Sequence, residues 1–107
     1  MNANIPIVEG GPNVFADLGL PDAEELLVKS RLALQIARIL KQRRLTQGKA
    51  AALTGLSQPK LSNLLRGKFT GISEDRMMRC LAALGQDVTI VVSPAKKGRG
   101  RVEVAYA

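Results

Sequence analysis

The chain has 107 residues, with 16 Lys or Arg against nine Asp or Glu, no His and one Cys, for a net charge of +7. That length sets one compact domain, and the missing histidine excludes His-based metal sites and a His general base. The lone Cys80 excludes an internal disulfide, and no apolar run approaches membrane-spanning length.

Residues 1–12 show no periodicity and contain a Gly-Gly pair, so they are expected to form a mobile arm. Residues 13–20 form a short apolar segment in which Phe15, Leu18 and Leu20 are expected to pack on the first helix. Asp22 is placed to start that helix, with Glu25 three residues on in a capping-box arrangement. Leu32, Ala33, Ile36, Ala37, Ile39 and Leu40 then recur at helical spacing. Arg31, Gln35, Arg38 and Lys41 fall on the opposite side, and the helix is expected to end near Arg43.

Thr46 can N-cap a short helix running to about Thr54. Gly55 supplies the left-handed conformation that a sharp turn needs. Leu56 plugs the angle that follows. Ser57 caps a second helix with Pro59 in its first turn, where a missing N–H is harmless. Leu61 and Leu64 point inward, leaving Ser57, Gln58, Lys60, Ser62, Asn63 and Arg66 facing out. Gly67 closes this helix, and Phe69 anchors a loop to Ser73. Ser73, Glu74 and Asp75 make a good helix start. That last helix carries Met77, Cys80, Leu81 and Leu84 as an apolar stripe and stops at Gly85.

Residues 88–92, Val-Thr-Ile-Val-Val, have strong strand propensity. A basic, glycine-containing loop follows, and Val102, Val104 and Tyr106 alternate onto one face. The expected architecture is mainly α, with a helix-turn-helix, plus a short C-terminal β-strand or hairpin. Residues 13–92 form the domain, and 93–107 a basic loop with a second strand.

Charge is unevenly distributed. Between Leu26 and Ser73 there are ten Lys or Arg and no Asp or Glu. All five acidic residues of the first 25 positions precede this block, so a tail near −5 offsets a remainder near +12. A cationic block that coincides with a groove-reading motif is the electrostatic footprint of phosphate contact. Phe15, Phe69 and Tyr106 are the only aromatic residues. Stacking platforms for single strands are therefore missing, which favours duplex DNA over RNA.

The stretch from Thr46 to Lys68 resembles the helix-turn-helix of phage repressors, Cro proteins and the wider Xre class. Gln47 opens the pattern, Ala51 lets the helices touch, Gly55 makes the turn, and Leu56, Leu61 and Leu64 form the seam. One departure is Leu65, where many Xre proteins carry an acidic residue, so the partner of Arg66 is left open. More loosely, residues 13–92 are similar to HigA-type antitoxins. The resemblance implies a lambda-repressor-like helical domain that binds operator DNA. It also implies that Gln58 reads adenine while Gln47 holds a phosphate and buttresses it.

By chemistry, a bidentate amide at Gln58 fits the N6/N7 edge of adenine. Asn63 could do the same or touch phosphate, Lys60 could read guanine, and Pro59 could pack on a thymine methyl. Thr46, Gln47, Lys49, Ser57, Ser62, Arg66 and Lys68 are expected as phosphate contacts. Each of these side chains is also compatible with a merely solvated surface.

No nucleophile-plus-base motif and no glycine-rich phosphate loop after a strand is present, which argues against an enzyme. No cofactor or metal is expected. An exposed valine-rich edge is a pairing hazard unless used. A two-fold dimer would use it and would match a pseudo-palindromic operator. A toxin is a further expected partner, with Glu9, Asp17, Asp22, Glu24 and Glu25 as the candidate surface for it, while for Asp22, Glu24 and Glu25 a solvated, helix-capping role is the stronger reading. The alternatives are a stand-alone repressor and a protein-interaction module. With no signal peptide visible, the expected location is a reducing, bacterial-type cytoplasm or its nucleoid.

Overall fold

The computed structural model describes Leu18, Gly19 and residues 22–106. The expectations for the first 12 residues, for Asp17 and for Phe15 and Leu20 lie outside the described residues. Leu18 is 73% exposed, so it does not make the packing contact expected of it. Four helices are described: α1 Ala23–Gln42, α2 Gln47–Thr54, α3 Gln58–Leu65 and α4 Glu74–Ala83.

Helix α1 is the spine. Its expected stripe is buried except for the half-buried Ala37, and Val28 and Leu34 are buried beside it, so more than one of its sides is covered. It packs on α3 and α4, while α2 packs on the same two helices. Leu61 and Leu64 of α3 and Met77 and Cys80 of α4 are fully enclosed. Each large side chain of this kind contributes about 1.5–3 kcal/mol by leaving water. Burial pushes the Cys80 thiol up, against opposing pulls from Arg76 and a Thr54 hydrogen bond. The thiol is thus a core group, as its place on the apolar stripe predicted.

Helix starts divide into two kinds. Thr46, Ser57 and Ser73 each hold extended backbone and accept a hydrogen bond from the N–H three residues on. Asp22 does not behave this way. Its backbone is left-handed (φ 57°) and its side chain makes no capping bond. A cap requires the extended conformation that lets the side-chain oxygen reach back. The expected capping box is therefore absent, and Glu25 instead lies 4.0 Å from Lys29.

Three helices end in the same way. In α3, Lys68 N–H donates to Asn63 C=O and Gly67 N–H to Leu64 C=O, with Gly67 left-handed. In α4, Gln86 pairs with Leu81 and Gly85 with Ala82. In α1, Leu45 pairs with Leu40 and Arg44 with Lys41. These are Schellman closures, which favour glycine at the left-handed position. In α1 that position is Arg44, at φ 53°. The adjoining Arg43 Nη1 donates to Leu84 C=O at 2.8 Å, tying the end of α1 to the end of α4.

The C-terminal segment overturns the strand expectation. No strand occurs among the described residues. Ile90, Val91 and Val92 are 75%, 80% and 89% exposed. β-propensity records fit to a paired, half-buried surface, and these residues lie on no neighbouring strand. The chain instead returns to α1. Val104 packs on the core, and Tyr106 Oη donates to Arg31 C=O at 3.0 Å. The Arg38 guanidinium sits 5.9 Å from the Tyr106 ring centroid, a cation–π distance. Arg31 itself is only 5% exposed. The side of α1 expected to face solvent at Arg31 and Arg38 is therefore where the C-terminus docks.

Arg44→Gly tests the α1 closure. A left-handed L-residue costs roughly 1–2 kcal/mol, while added unfolded-state freedom costs glycine about 0.4–1 kcal/mol. Net stabilisation of order 0.5–1 kcal/mol is expected in urea unfolding. A loss of stability would show that the Arg44 side chain holds the closure together.

Candidate nucleic-acid interface

The α2–turn–α3 unit is held in one geometry by three devices. Gly55 is left-handed at φ 77°, and its N–H donates to Ala51 C=O. Leu56, 6% exposed, fills the angle. Arg76 reaches over from α4, and its Nη2 donates to Thr54 C=O at 2.9 Å. A Cβ placed on Gly55 would lie 3.1 Å from that same Arg76 nitrogen. Conformation and space both call for glycine here.

Helix periodicity then decides which side chains share a face, since residues three and four apart are neighbours. Leu61, Leu64 and Leu65 are buried. Gln58, Pro59, Asn63 and Arg66 are exposed, and Ser62 is half-buried. The structure thus gathers Gln58, Pro59, Ser62, Asn63 and Arg66 along the outer side of α3. Thr46, Gln47 and Lys49 are exposed at the start of α2. The two starts are adjacent: a Cβ on Gly48 would lie 3.8 Å from the Gln58 amide nitrogen and 4.0 Å from Thr46 Oγ1. Gly48 therefore makes room beside Gln58, a role that sequence reading did not assign; a small residue next to a helix cap was the available signal.

Two side chains sit differently from the rest. Lys60 Nζ donates to Gly71 C=O at 3.0 Å, which turns it toward the α3–α4 loop and away from the Gln58 face. Asn63 Oδ1 accepts from Arg66 Nη2 at 2.6 Å. That bond gives Arg66 the partner that Leu65 cannot supply, and it leaves Asn63 offering its amide N–H groups outward. The Gln47 and Gln58 side chains are not joined by a hydrogen bond among the described residues. Ser57 is exposed with its oxygen used by the Lys60 N–H. Lys68 is exposed just past the α3 closure.

The electrostatics separate the helices. Helices α1 and α4 carry acids in their first turns, Glu24 and Glu25 in one and Glu74 and Asp75 in the other. Helices α2 and α3 carry none. A helix N-terminus bears a partial positive charge that acids usually offset. Here it is left uncompensated on the two helices whose starts lie side by side, beside Lys49. Exposed N–H groups with this polarity suit an anion such as phosphate. Among the described residues, no group of three metal-ligating side chains comes together, and no described helix is long and apolar enough to cross a membrane.

Comparison with known proteins agrees with this arrangement. A family model described as a helix-turn-helix domain matches residues 14–93. No curated protein matches the chain. A solved structure whose name assigns it to the XRE family of transcriptional regulators is 43% identical, with a TM-score of 0.73; the match covers 81% of this chain and all of that one. The chain belongs to the Xre family of helix-turn-helix proteins.

Proposed function

We propose that this protein is a sequence-specific regulator that binds duplex operator DNA. Helix α3 enters the major groove, and the starts of α2 and α3 rest on phosphates. The observation that carries the reading is the outer face of α3, where Gln58, Pro59 and Asn63 lie next to two helix N-termini free of acids. Gln58 is the base reader. Asn63, with its oxygen engaged by Arg66, donates to base or phosphate acceptors. Thr46, Gln47, Lys49, Ser57, Ser62, Arg66 and Lys68 position the backbone. Lys60 is the weakest member of the base-reading set, because its ammonium is held at Gly71.

The test is selection of bound duplexes from a random pool, followed by titration of the preferred site. Gln58→Ala is expected to cost about 1–3 kcal/mol on that site and to relax preference at one base pair. An equal loss on random DNA would remove Gln58 from base reading.

We further propose a two-fold dimer in which the exposed Val88, Ile90 and Val92 segment meets its counterpart from a second copy. Such pairing would give the segment the neighbour its propensity calls for. It would set two α3 helices about 34 Å apart, one turn of DNA. Ile90→Lys should convert the dimer to a monomer in light scattering. A parent protein that is monomeric at high concentration would sink this model.

The finer reading is the antitoxin of a toxin–antitoxin pair, supported by the resemblance of residues 13–92 to HigA-type proteins. The acidic first quarter is the toxin-facing surface, which leaves the α3 face for DNA. A chain lacking residues 1–11 is then expected to bind DNA normally but to rescue growth poorly in cells expressing the neighbouring toxin. Full rescue would move the contact elsewhere, and a locus with no toxin gene would leave a stand-alone repressor.

A further inference from the structure

The C-terminal excursion is pinned at both ends to one side of α1. At its start, Gln35 Nε2 donates to Gln86 Oε1 at 3.2 Å. At its end, Tyr106 bonds to Arg31 C=O and stacks under Arg38. Arg31, Gln35 and Arg38 are four and three residues apart, so these anchors are neighbours on the helix surface. Everything from 87 to 103 is exposed. The excursion is therefore an arm with two valine-bearing legs and a tip at residues 93–101, Ser-Pro-Ala-Lys-Lys-Gly-Arg-Gly-Arg.

The tip is entirely cationic in its charge. No Asp or Glu occurs between Asp87 and Glu103. Arg101 is paired with Glu103 at 3.0 Å. Among the described residues, Lys96, Lys97 and Arg99 face no carboxylate. Three cations close together in an exposed loop, with no carboxylate partner among the described residues, repel one another, and an anionic partner relieves that repulsion. The tip has no aromatic or large aliphatic side chain, so it lacks the buried anchor on which protein interfaces depend. What it offers is charge, with glycines on both sides of Arg99 that allow close approach of the backbone. Phosphate is the chemistry that fits.

We propose that this tip is a second DNA-contacting element, resting on phosphates of the duplex beside the site read by α3. The proposal rests on the regulator reading above and adds a contact that the helix-turn-helix does not contain. Anchoring makes it workable. The arm leaves the end of α4 and is fastened to α1, the helix on which α3 and α4 both pack. The ten residue steps from Gln86 to Lys96 can span up to about 33 Å, and the molecule is 45 Å along its longest axis.

The experiment compares the full chain with the Lys96→Ala/Lys97→Ala/Arg99→Ala variant on the selected duplex across a salt series. The substituted side chains are exposed, and a matching thermal melt confirms the fold. The slope of log affinity against log salt should fall by up to about 2.7, at about 0.9 for each of the three lost phosphate contacts, with affinity down roughly tenfold or more. Base preference at the α3 positions should not change. Trimming the flanking base pairs should remove the difference between the two proteins, and Lys96→Arg/Lys97→Arg should bind like the parent. A variant with the parent's slope and affinity overturns the tip contact and leaves the regulator reading standing. A full chain that binds no duplex at any salt overturns both.

Discussion

The angle between α2 and α3 depends on one left-handed residue, and the placement of the outer face of α3 depends on that angle. Gly55 turns the chain, Leu56 fills the space the turn opens, and Arg76 ties the last turn of α2 to α4. The three act on each other. A side chain at Gly55 would press on Arg76, and a shifted Arg76 would leave the Thr54 carbonyl at a helix end without its donor. Because α4 packs on α1 as well as on α2, the turn is registered against the whole core. That rigidity keeps Gln58 beside Gly48 and sets the two uncompensated helix starts side by side.

Much of this was legible in the sequence because it is local. A hydroxyl three residues before its N–H, a glycine at a turn and leucines at helical spacing act within a few residues of themselves. The helix-turn-helix boundaries and inward leucines followed from such signals. Asp22 shows the limit even at short range: the acid at the right spacing was present, but its backbone took the one conformation from which it cannot cap. The valine-rich segment shows the limit at long range. Alternation and β-branching record what a segment would do beside another strand, and they say nothing about whether this chain supplies one. The alternation of Val104 and Tyr106 marked an inward face, but nothing in it showed that Tyr106 would dock on Arg31, 75 residues away in sequence.

Composition identified the cationic block but overstated how much of it is available to phosphate. Arg43 holds a carbonyl of the α4 closure, Arg38 lies under Tyr106, Lys60 holds Gly71, and Lys29 lies near Glu25. These cations are shared with the architecture. An arginine that satisfies a helix-end carbonyl lowers the cost of leaving that group bare, so Arg43 joins α1 to α4 while the other three hold a loop, the C-terminus or their own helix. The exposed cations near the α2 and α3 faces, Lys49, Arg66 and Lys68, are fewer. A phosphate-binding surface built from them relies correspondingly more on backbone N–H groups at the helix starts.

That sparing supply of free charge gives the C-terminal arm its significance. Lys96, Lys97 and Arg99 lie outside the compact core, where no helix end or ring engages them. Side-chain cations that stabilise a fold are found against carbonyls, carboxylates or aromatic faces, as Arg43, Arg76 and Arg38 are here. Among the described residues, Lys96, Lys97 and Arg99 make no such contact. Yet the arm that carries them is fastened at both ends to α1, and fastening lowers the entropy lost when a loop settles on a ligand. Anchoring an exposed loop does little for stability by itself. It fixes the root of the loop on α1, and two contacts carried on one scaffold reinforce each other when both reach the same duplex.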